Sequence, residues 1–368
     1  MSSTTTARQS LQQSYPWTAA PLIVSAPMRV MSGPQLAVAV SAAGGLGFIG
    51  PGLSAAATLE DLQTARTLVA QSETLKTVAA EQRVLPLGVG FQIWNGDVET
   101  ACRAIAEVPV SAVWLFAPRD EAELKLWVKK IRAVVDKDNL GTKVWLQVGT
   151  VGEAVAAASL EEDERVDVVV IQGDEAGGHR RTANCAGFVT LLPEVADLLK
   201  RDGKGSEIPL FAAGGIADGR GVAAALAVGA AGAVLGTRFL ATPQARIKEG
   251  YRDEVVRAEN GGENTVRTQL WNHLRGTFGW PGDYMPRGVV NASYREEKEG
   301  VPFEELKRRH DEAVEKSGNE AWGMERGRTA TYAGAGVGLV RGVEDAGELV
   351  GRLRAECKTI LTELKEKL

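Results

Sequence analysis

The stretch that decides the fold is residues 208–237, IPLFAAGGIADGRGVAAALAVGAAGAVLGT. Its apolar runs at 208–215 and 231–237 have the length of strands, and they do not alternate with polar residues. This pattern is typical of parallel strands that are buried on both faces. A helical pattern at 219–228 lies between them, which makes a strand–helix–strand unit with a right-handed crossover.

The same unit recurs through the first two thirds of the chain. Eight apolar runs of strand length lie at 22–28, 45–50, 86–93, 112–117, 143–149, 166–173, 208–215 and 231–237. Helical patterns separate them at 34–43, 60–71, 98–107, 121–135, 151–160, 188–200 and 219–228. Eight such strands within about 215 residues predict a closed (β/α)8 barrel, or TIM barrel, rather than an open doubly wound sheet.

The remaining segments predict a second, smaller unit and a returning helix. Residues 243–330 carry turns, several tryptophans and dense charge without a further buried-strand pattern, so we expect a mainly helical substrate or lid domain inserted after strand 8. The barrel domain would then comprise 15–242 plus 331–368. Apolar residues from Leu349 to Leu364 recur at spacings of three and four, which predicts an amphipathic helix over 343–368. We expect it to replace the missing helix after strand 8.

Composition excludes several classes of function. The 368 residues carry a formal net charge of −5, so the chain lacks the basic surface of proteins that bind nucleic acids or anionic membranes. Three cysteines without a CxxC motif indicate a reducing, cytoplasmic compartment, with neither disulfides nor a metal site. The first 17 residues lack the features of a secretory signal, and we expect them to form an unstructured tail.

Glycines after the seventh and eighth strands predict a phosphate site. In a barrel of this kind, functional groups lie at the carboxyl ends of the strands. Ala213, Gly214 and Gly215 follow the seventh strand, and Gly236 and Thr237 follow the eighth. Adjacent glycines before a helix let backbone N–H groups approach an anion. A tight turn would explain one such pair, but two consecutive loops at this place favour phosphate binding.

The sixth strand ends in QGDEAGGHRR, residues 172–181, which provides a candidate base. His179 follows two glycines in a loop that would face the barrel mouth, and its side chain titrates closest to neutral pH. We therefore expect His179 to accept a proton from a carbon acid. His273 and His310 lie in polar helical stretches, where a structural role is the better interpretation.

Other strand ends predict the surface for a flat ligand. The first strand ends in Ala26, Pro27 and Met28, and a methionine offers polarizable contact to a planar ring. The third strand carries Gly90 and Gln92, and the sixth ends in Gln172. A buried glutamine is costly without a hydrogen-bond partner, so both amides are expected to bind a ligand such as a flavin ring.

Together these strings resemble the nitronate monooxygenase family, formerly called 2-nitropropane dioxygenases. The resemblance covers most of the chain and rests on residues 26–28, 43–47, 172–173, 176–179, 212–219 and 236–240. The later strings at 265–268, 275–277, 279–281 and 332–338 resemble the fungal-type branch.

The resemblance implies a cofactor and a reaction. It implies noncovalent FMN, with its phosphate near Gly214, Gly215, Gly236 and Thr237. The ring would lie against Pro27, Met28 and Gln172, and the rest of the predicted FMN surface comprises Ala26, Gly90, Gln92, Gly177, Gly178 and Ala213. His179 would remove the α-proton of a neutral nitroalkane, whereas a preformed nitronate would not need this step. Oxidation by O2 would yield a carbonyl compound and nitrite, without a nicotinamide cofactor.

Two positions depart from the pattern of the family. Bacterial relatives typically have Asn where this chain has Gly90, so Gln92 is a candidate for the missing hydrogen bond to the flavin. Arg180 and Arg181 follow the histidine where Gly is usual. Their guanidinium groups would either hold an acidic substrate or, as we favour, face solvent at the rim.

Two alternatives remain open. An FMN-dependent enoyl reductase would share the AGGH string but would take hydride from NAD(P)H. A non-catalytic barrel would bind FMN or another phosphometabolite as a sensor. The expected partners are a small-molecule substrate and O2, and a homodimer is compatible with the sequence.

Overall fold

A closed barrel of eight parallel strands forms the centre of the molecule. The computed structural model describes residues 11–137, 139–182, 185–203 and 208–367. The barrel strands are β1 (Leu22–Ser25), β2 (Leu46–Ile49), β3 (Leu85–Gln92), β4 (Val110–Phe116), β5 (Lys143–Val148), β6 (Val168–Gln172), β8 (Leu210–Ala213) and β9 (Gly232–Leu235). They pair in this order, and β9 closes on β1. The predicted (β/α)8 barrel is confirmed, with a strand in each of the eight predicted runs.

Helices connect the strands as the sequence pattern predicts, with one additional helix at Lys76–Gln82 that it did not predict. They span Pro34–Ala42, Ala55–Gln71, Lys76–Gln82, Val98–Glu107, Glu121–Val135, Val151–Ala158, Phe188–Arg201 and Gly219–Ala227, and a short helix, Thr237–Leu240, follows β9. Polar side chains cap several helices at their N-termini: Asp120 accepts from the N–H of Glu123 at 2.8 Å, and Asp97 from that of Glu99 at 3.0 Å. These caps satisfy backbone donors that the first helical turn leaves unpaired.

The barrel wall is apolar on both faces because it packs inward on itself and outward on the helices. Side chains such as Val24, Phe48 and Trp145 fill the interior, whereas their strand neighbours such as Ile23 and Ile49 contact the helices. Large interior rings are accommodated by glycines on adjacent strands. A Cβ on Gly88 would lie 2.2 Å from Cε1 of Phe48.

The chain before β1 closes the lower end of the barrel, which is the end opposite the carboxyl ends of the strands. This corrects the expectation that residues 11–17 form part of an unstructured tail. Residues 11–14 form a helical turn, and Tyr15 is fully buried in the barrel core. The Tyr15 hydroxyl accepts a hydrogen bond of 2.8 Å from Nε1 of Trp145. Burial of Leu11 and Tyr15 provides the apolar contacts that hold this segment. Residues 1–10, the rest of the predicted tail, lie outside the described residues.

The segment 243–330 is mostly helical, as predicted, but it also contributes two strands. Its helices are Glu249–Arg257, Gly261–Asn264, Leu270–Leu274, Ala292–Lys298 and Phe303–Lys316. Strands β10 (Thr265–Arg267) and β11 (Tyr284–Val289) form an antiparallel sheet with β7 (Gly178–Arg181), which follows β6. These strands were not predicted, because β10 is only three residues long and β11 alternates buried with half-buried positions. Such strands lack the continuous apolar run of a barrel strand.

The last helix, Ala346–Lys367, packs where the sequence analysis expected it. It lies against helices Gly219–Ala227 and Pro34–Ala42 and so completes the outer ring of the barrel. A Cβ on Gly219 would lie 2.2 Å from Cβ of Glu356, which shows how closely the two helices approach. Within the described ranges, no helix combines the length and the apolar character needed to cross a membrane.

Candidate active site

A cavity of about 1410 Å³, including its open mouth, lies at the carboxyl ends of the barrel strands. The predicted site residues surround it with one exception. The lining includes Ala26, Pro27, Met28, Gln92, Gln172, Gly177, Gly178, His179, Ala213, Gly214, Gly215, Gly236 and Thr237. Loops that are far apart in the sequence therefore meet in one space, as the barrel topology requires.

The exception is Gly90, which is absent from the cavity lining. A Cβ on Gly90 would lie 2.4 Å from Cβ of Pro27. The glycine thus makes room for the proline ring of the adjacent loop rather than for a flat ligand. This corrects the assignment of Gly90 to the cofactor surface, because sequence alone did not show that Pro27 fills the space beside it.

Three loops meet at one side of the cavity to form a surface of bare backbone. Gly214 and Gly215 have φ of 105° and 71°, a left-handed conformation that strongly favours glycine. Gly334 and Gly336, which follow β11 in the chain, also line the cavity. A Cβ on Gly336 would lie 2.5 Å from the carbonyl oxygen of Gly215. The Thr237 hydroxyl accepts a 3.0 Å hydrogen bond from Gly334 N–H, so this third loop is fixed to the β9 end.

Amide side chains form a polar part of the cavity floor. Gln147 Nε2 donates to Gln172 Oε1 at 2.9 Å, which leaves the Gln172 NH2 group available to a ligand. The Gln92 side chain is only 5% exposed and has no hydrogen-bond partner among the described residues. A buried amide in this state is stabilised by a ligand that pairs with it. Trp114 and Phe116 line the same region.

His179 lies on β7, where it pairs with Pro286 of β11. Its Nε2 is 2.7 Å from Oδ1 of Asn272. The imidazole stacks on the Trp280 ring with a centroid distance of 3.8 Å and an interplanar angle of 8°. Burial is the main cause that lowers the pKa of His179 to about 3; nearby arginines act in the same direction, and the hydrogen bond to Asn272 opposes the shift. The imidazole is therefore neutral at physiological pH.

The cavity wall beside His179 is cationic. Arg29 and Arg275 both line the cavity, and no aspartate or glutamate is among its described lining residues. The guanidinium carbon of Arg275 lies 5.3 Å from the centroid of the Tyr332 ring. Burial and the charge of Arg275 lower the pKa of Arg29. Because no carboxylate of the described lining neutralises these two arginines, the cavity is suited to an anionic ligand.

Arg180 and Arg181 both form ion pairs with carboxylates outside the cavity. Arg180 is fully buried and pairs with Asp174 at 2.7 Å. Arg181 pairs with Glu153 at 2.5 Å and with Asp283 at 3.1 Å. Side chains alternate along a strand, so β7 directs His179 into the cavity and Arg180 away from it. Neither arginine lines the cavity, which corrects the substrate contact for both. The solvent-facing position is wrong for Arg180, whereas the Arg181 side chain is partly exposed.

Several lining residues from the segment after β9 were not predicted from the sequence. They are Asn272, Arg275, Thr277, Trp280 and Tyr332, and Arg29 after the first strand was also missed. Five of these six lie within or directly beside strings quoted for the resemblance, but no spacing rule gave them a role. Asn272 had no such signal, because only the folding of the segment around β7 brings it to His179.

Comparisons with known proteins agree with this geometry. The family model for nitronate monooxygenase matches residues 16–355. Nitronate monooxygenase npaC of Metarhizium robertsii is 53% identical over 358 residues, which cover 97% of this chain and 96% of that protein. A nitronate monooxygenase of Neurospora crassa is 35% identical over 363 residues, with coverage of 95% and 93%. The solved structure of a nitroalkane oxidase from Streptomyces ansochromogenes is similar with a TM-score of 0.68 at 26% identity, and covers 96% of this chain and 99% of that one.

Proposed function

The chain belongs to the nitronate monooxygenase family, and we propose that it oxidises alkyl nitronates with O2 to a carbonyl compound and nitrite, with FMN as its cofactor. The observation that carries this proposal is the cavity itself. It joins a surface of bare glycine backbone to a cationic wall without acidic residues. The first feature suits a phosphate and the second suits a nitronate anion.

The residues present fit FMN at two places. Gly214, Gly215 and Gly236 would hold its phosphate through backbone N–H groups, because no Cβ blocks their approach. The side-chain amides of Gln92 and Gln172 would pair with polar edges of the ring. Bound FMN would supply the electron-transfer chemistry between the substrate and O2.

The substrate would bind on the cationic side of the cavity. Arg29 and Arg275 would hold the negatively charged nitro oxygens of a nitronate, because a guanidinium group pairs well with planar anions. Trp280 and Tyr332 would cover the same region and exclude water, which strengthens these charge interactions. The preferred substrate is therefore a small nitronate rather than a neutral or cationic compound.

We further propose that His179 acts as the base for neutral nitroalkanes. Its neutral imidazole can accept the α-proton, but the imidazolium is disfavoured by burial and by the surrounding arginines. Proton transfer also creates the nitronate anion, whose charge would stabilise the imidazolium beside it. Neutral nitroalkanes should therefore react more slowly than preformed nitronates, which need no base.

The segment 243–330 is proposed as the substrate side of the site and as its lid. It supplies Asn272, Arg275, Thr277 and Trp280 to the cavity, whereas the barrel loops supply the glycine surface. Because the two segments supply different parts of the cavity lining, we separate the chain into a barrel domain of 15–242 plus 331–368 and a smaller substrate domain. Motion of this segment would control access to His179.

The test begins with the absorption spectrum of the purified protein and of the chromophore released on denaturation. FMN gives a yellow protein that loses its chromophore without a covalent adduct. Under anaerobic conditions, ethylnitronate should bleach the flavin and NADH or NADPH should not. In air, ethylnitronate should then consume O2 and release nitrite. Rapid bleaching by a pyridine nucleotide alone would instead support an enoyl reductase. A yellow protein that is inert to a panel of nitronates would support a flavin-binding sensor.

A further inference from the structure

A chain of side-chain hydrogen bonds leads from a backbone carbonyl to His179. Gln269 Nε2 donates to the carbonyl oxygen of Tyr284 at 2.9 Å. Asn272 Nδ2 donates to Gln269 Oε1 at 2.7 Å. Asn272 Oδ1 then lies 2.7 Å from Nε2 of His179. Gln269 and Asn272 lie one turn apart at the start of helix Leu270–Leu274, so they share one face of this helix.

The direction of this chain is determined by its first member. A carbonyl oxygen can only accept, so Gln269 must present its NH2 group to Tyr284. Its own oxygen is then left to accept from Asn272, which turns the Asn272 oxygen towards His179. An amide oxygen also only accepts, so the nearby ring nitrogen must carry the proton. In a neutral imidazole, Nδ1 is then unprotonated.

We propose that Gln269 and Asn272 are positioning residues that hold His179 as the Nε2–H tautomer, so that Nδ1 is its sole proton acceptor. The inference rests on the proposed role of His179 as base and specifies which atom receives the proton. Nδ1 has no hydrogen-bond partner among the described residues, and His179 lines the cavity, so this atom is left for a substrate. The α-carbon proton of a nitroalkane would pass to Nδ1, and the electron pair of the C–H bond would remain on the nitronate.

Among the described residues, Asn272 is the side-chain hydrogen-bond partner of the His179 ring, and so it is the group that fixes the tautomer. The groups that face it are Arg29, Arg267, Arg275, Trp280 and Tyr332. The arginines are donors only, and the Trp280 ring stacks on the face of the imidazole rather than at its edge. No carboxylate lines the cavity in the part of the chain that the structure describes. Asn272 therefore fixes the tautomer and the orientation of the imidazole, as a carboxylate does for many catalytic histidines, but it adds no negative charge.

The test reads the tautomer directly by 15N NMR of ring-labelled histidine in the flavin-loaded protein. The chain has only three histidines, so variants of His273 and His310 assign the spectrum. At neutral pH, His179 Nε2 should give the signal of a protonated nitrogen and Nδ1 that of an unprotonated one. The reverse pattern, or an equal mixture in the unaltered protein, would overturn the proposal. Neither result depends on turnover, so the reading is separate from the proposed reaction.

Two substitutions at Gln269 form a matched pair. Gln269→Glu loses the hydrogen bond to the Tyr284 carbonyl but keeps an oxygen that accepts from Asn272 Nδ2, so the Asn272 oxygen should still face His179 and the tautomer should persist. Gln269→Leu removes this acceptor, frees the Asn272 amide to rotate and should populate both tautomers. With equal populations, kcat on a neutral nitroalkane should fall roughly twofold or more, with recovery in Gln269→Glu. Preformed nitronates should be spared. An unchanged tautomer in Gln269→Leu would contradict the relay.

A variant at Asn272 keeps the test decisive if Gln269→Leu does not fold. Asn272→Asp places a carboxylate beside Nε2, which still accepts and also stabilises the imidazolium. The Nε2–H tautomer should persist in this variant, and the pH at which His179 titrates should rise by more than one unit, by analogy with other carboxylate-paired groups. A titration that does not move would mean that residue 272 does not contact Nε2, which overturns the assignment.

Discussion

At the scale of the residue, the properties of His179 come from burial and from cations. Burial is the largest cause of its lowered pKa, and the charges of Arg275, Arg267 and Arg29 act in the same direction. Its hydrogen-bond partner, Asn272, is uncharged and so compensates only in part. The imidazole is consequently a base that stays neutral until an anion forms beside it.

Replacement of His179 by alanine separates the two classes of substrate. His179→Ala should lower the turnover rate of neutral nitroalkanes by roughly 100-fold or more, since general-base catalysis typically contributes that much. Preformed nitronates should retain most of their rate because they carry no α-proton to remove. Steady-state O2 uptake with 2-nitropropane and with its nitronate measures both. Equal losses on the two substrates would remove the assignment of His179 as base.

The low pKa of His179 makes a prediction for pH dependence. A base must be deprotonated in the free enzyme, so kcat/KM for a neutral nitroalkane should fall only as the pH approaches about 3. A histidine with its ordinary pKa of about 6.5 would instead cause a tenfold loss for each pH unit below that value. Initial rates between about pH 5 and 8, with freshly diluted neutral nitroalkane, distinguish these cases. An inflection near 6.5 that disappears in His179→Ala would contradict the burial argument.

At the scale of the element, the sheet of β10, β11 and β7 joins the two sides of the site. β7 carries His179 and belongs to the loop after β6, whereas β11 belongs to the segment 243–330. Arg267 of β10 reinforces this junction through hydrogen bonds to the carbonyl oxygens of Asp174, Ala176 and Gly178. The loop that precedes His179 is therefore held by the segment that also supplies Asn272.

The loop after β11 provides a test of the glycine surface. In Gly336→Ala, the new Cβ would lie 2.5 Å from the carbonyl oxygen of Gly215, so one of the two loops must move. We expect FMN to bind at least roughly tenfold more weakly, a loss of about 1.4 kcal/mol, measured by flavin fluorescence titration. Gly351→Ala is the matched control, because its Cβ would meet nothing within 4 Å. Unchanged flavin affinity in Gly336→Ala would be evidence against phosphate binding at this surface.

The turn before β1 provides a test of how the barrel is closed. Tyr15→Phe removes the acceptor of Trp145 Nε1 and leaves this buried donor unpaired. The free energy of unfolding should fall by roughly 1–3 kcal/mol, measured in urea. Gln13→Ala, in the same turn but exposed, should change it by less than about 0.5 kcal/mol. If both variants unfold at the same urea concentration, the Tyr15 contact contributes no stability.

At the scale of the whole molecule, the two ends of the chain complete a barrel whose strands all lie between them. The first described residues fill the lower end, and the last helix fills the gap in the outer ring. The buried side chains of this helix all lie within its first twelve residues: Ala346, Leu349, Val350, Leu353 and Cys357. Arg238 links the helix entrance to β9 through an ion pair with Glu344 at 2.7 Å.

Two truncations test which part of the last helix the barrel needs. A chain that stops after Asp345 would expose the apolar faces of Gly219–Ala227 and Pro34–Ala42, so we expect it to be recovered only as aggregate. A chain that stops after Ile360 loses only residues whose described side chains are exposed. Its free energy of unfolding should stay within about 0.5 kcal/mol of the full chain. Soluble, flavin-loaded protein from the shorter chain would contradict this view of the helix.

The sequence by itself determined the barrel, the returning helix and the loops around the cavity. Buried parallel strands are apolar at every position, so each run such as 208–215 can be recognised without knowledge of its neighbours. The glycine pair of Gly214 and Gly215 and the loop of His179 follow directly from the ends of these strands. Their binding roles stay predictions, but their position around one cavity was accessible from the order of the strands alone.

Only the tertiary structure decided which side chain faces which. Gly90 was assigned to a ligand because the sequence does not show that Pro27 occupies the space beside it. Arg180 and His179 are neighbours in sequence, yet strand alternation sends one into a buried ion pair and the other into the cavity. Asn272 lies 93 residues after His179, so its contact depends on how the inserted segment folds over β7. Contacts of this kind are set by packing between distant segments, and no local pattern encodes them.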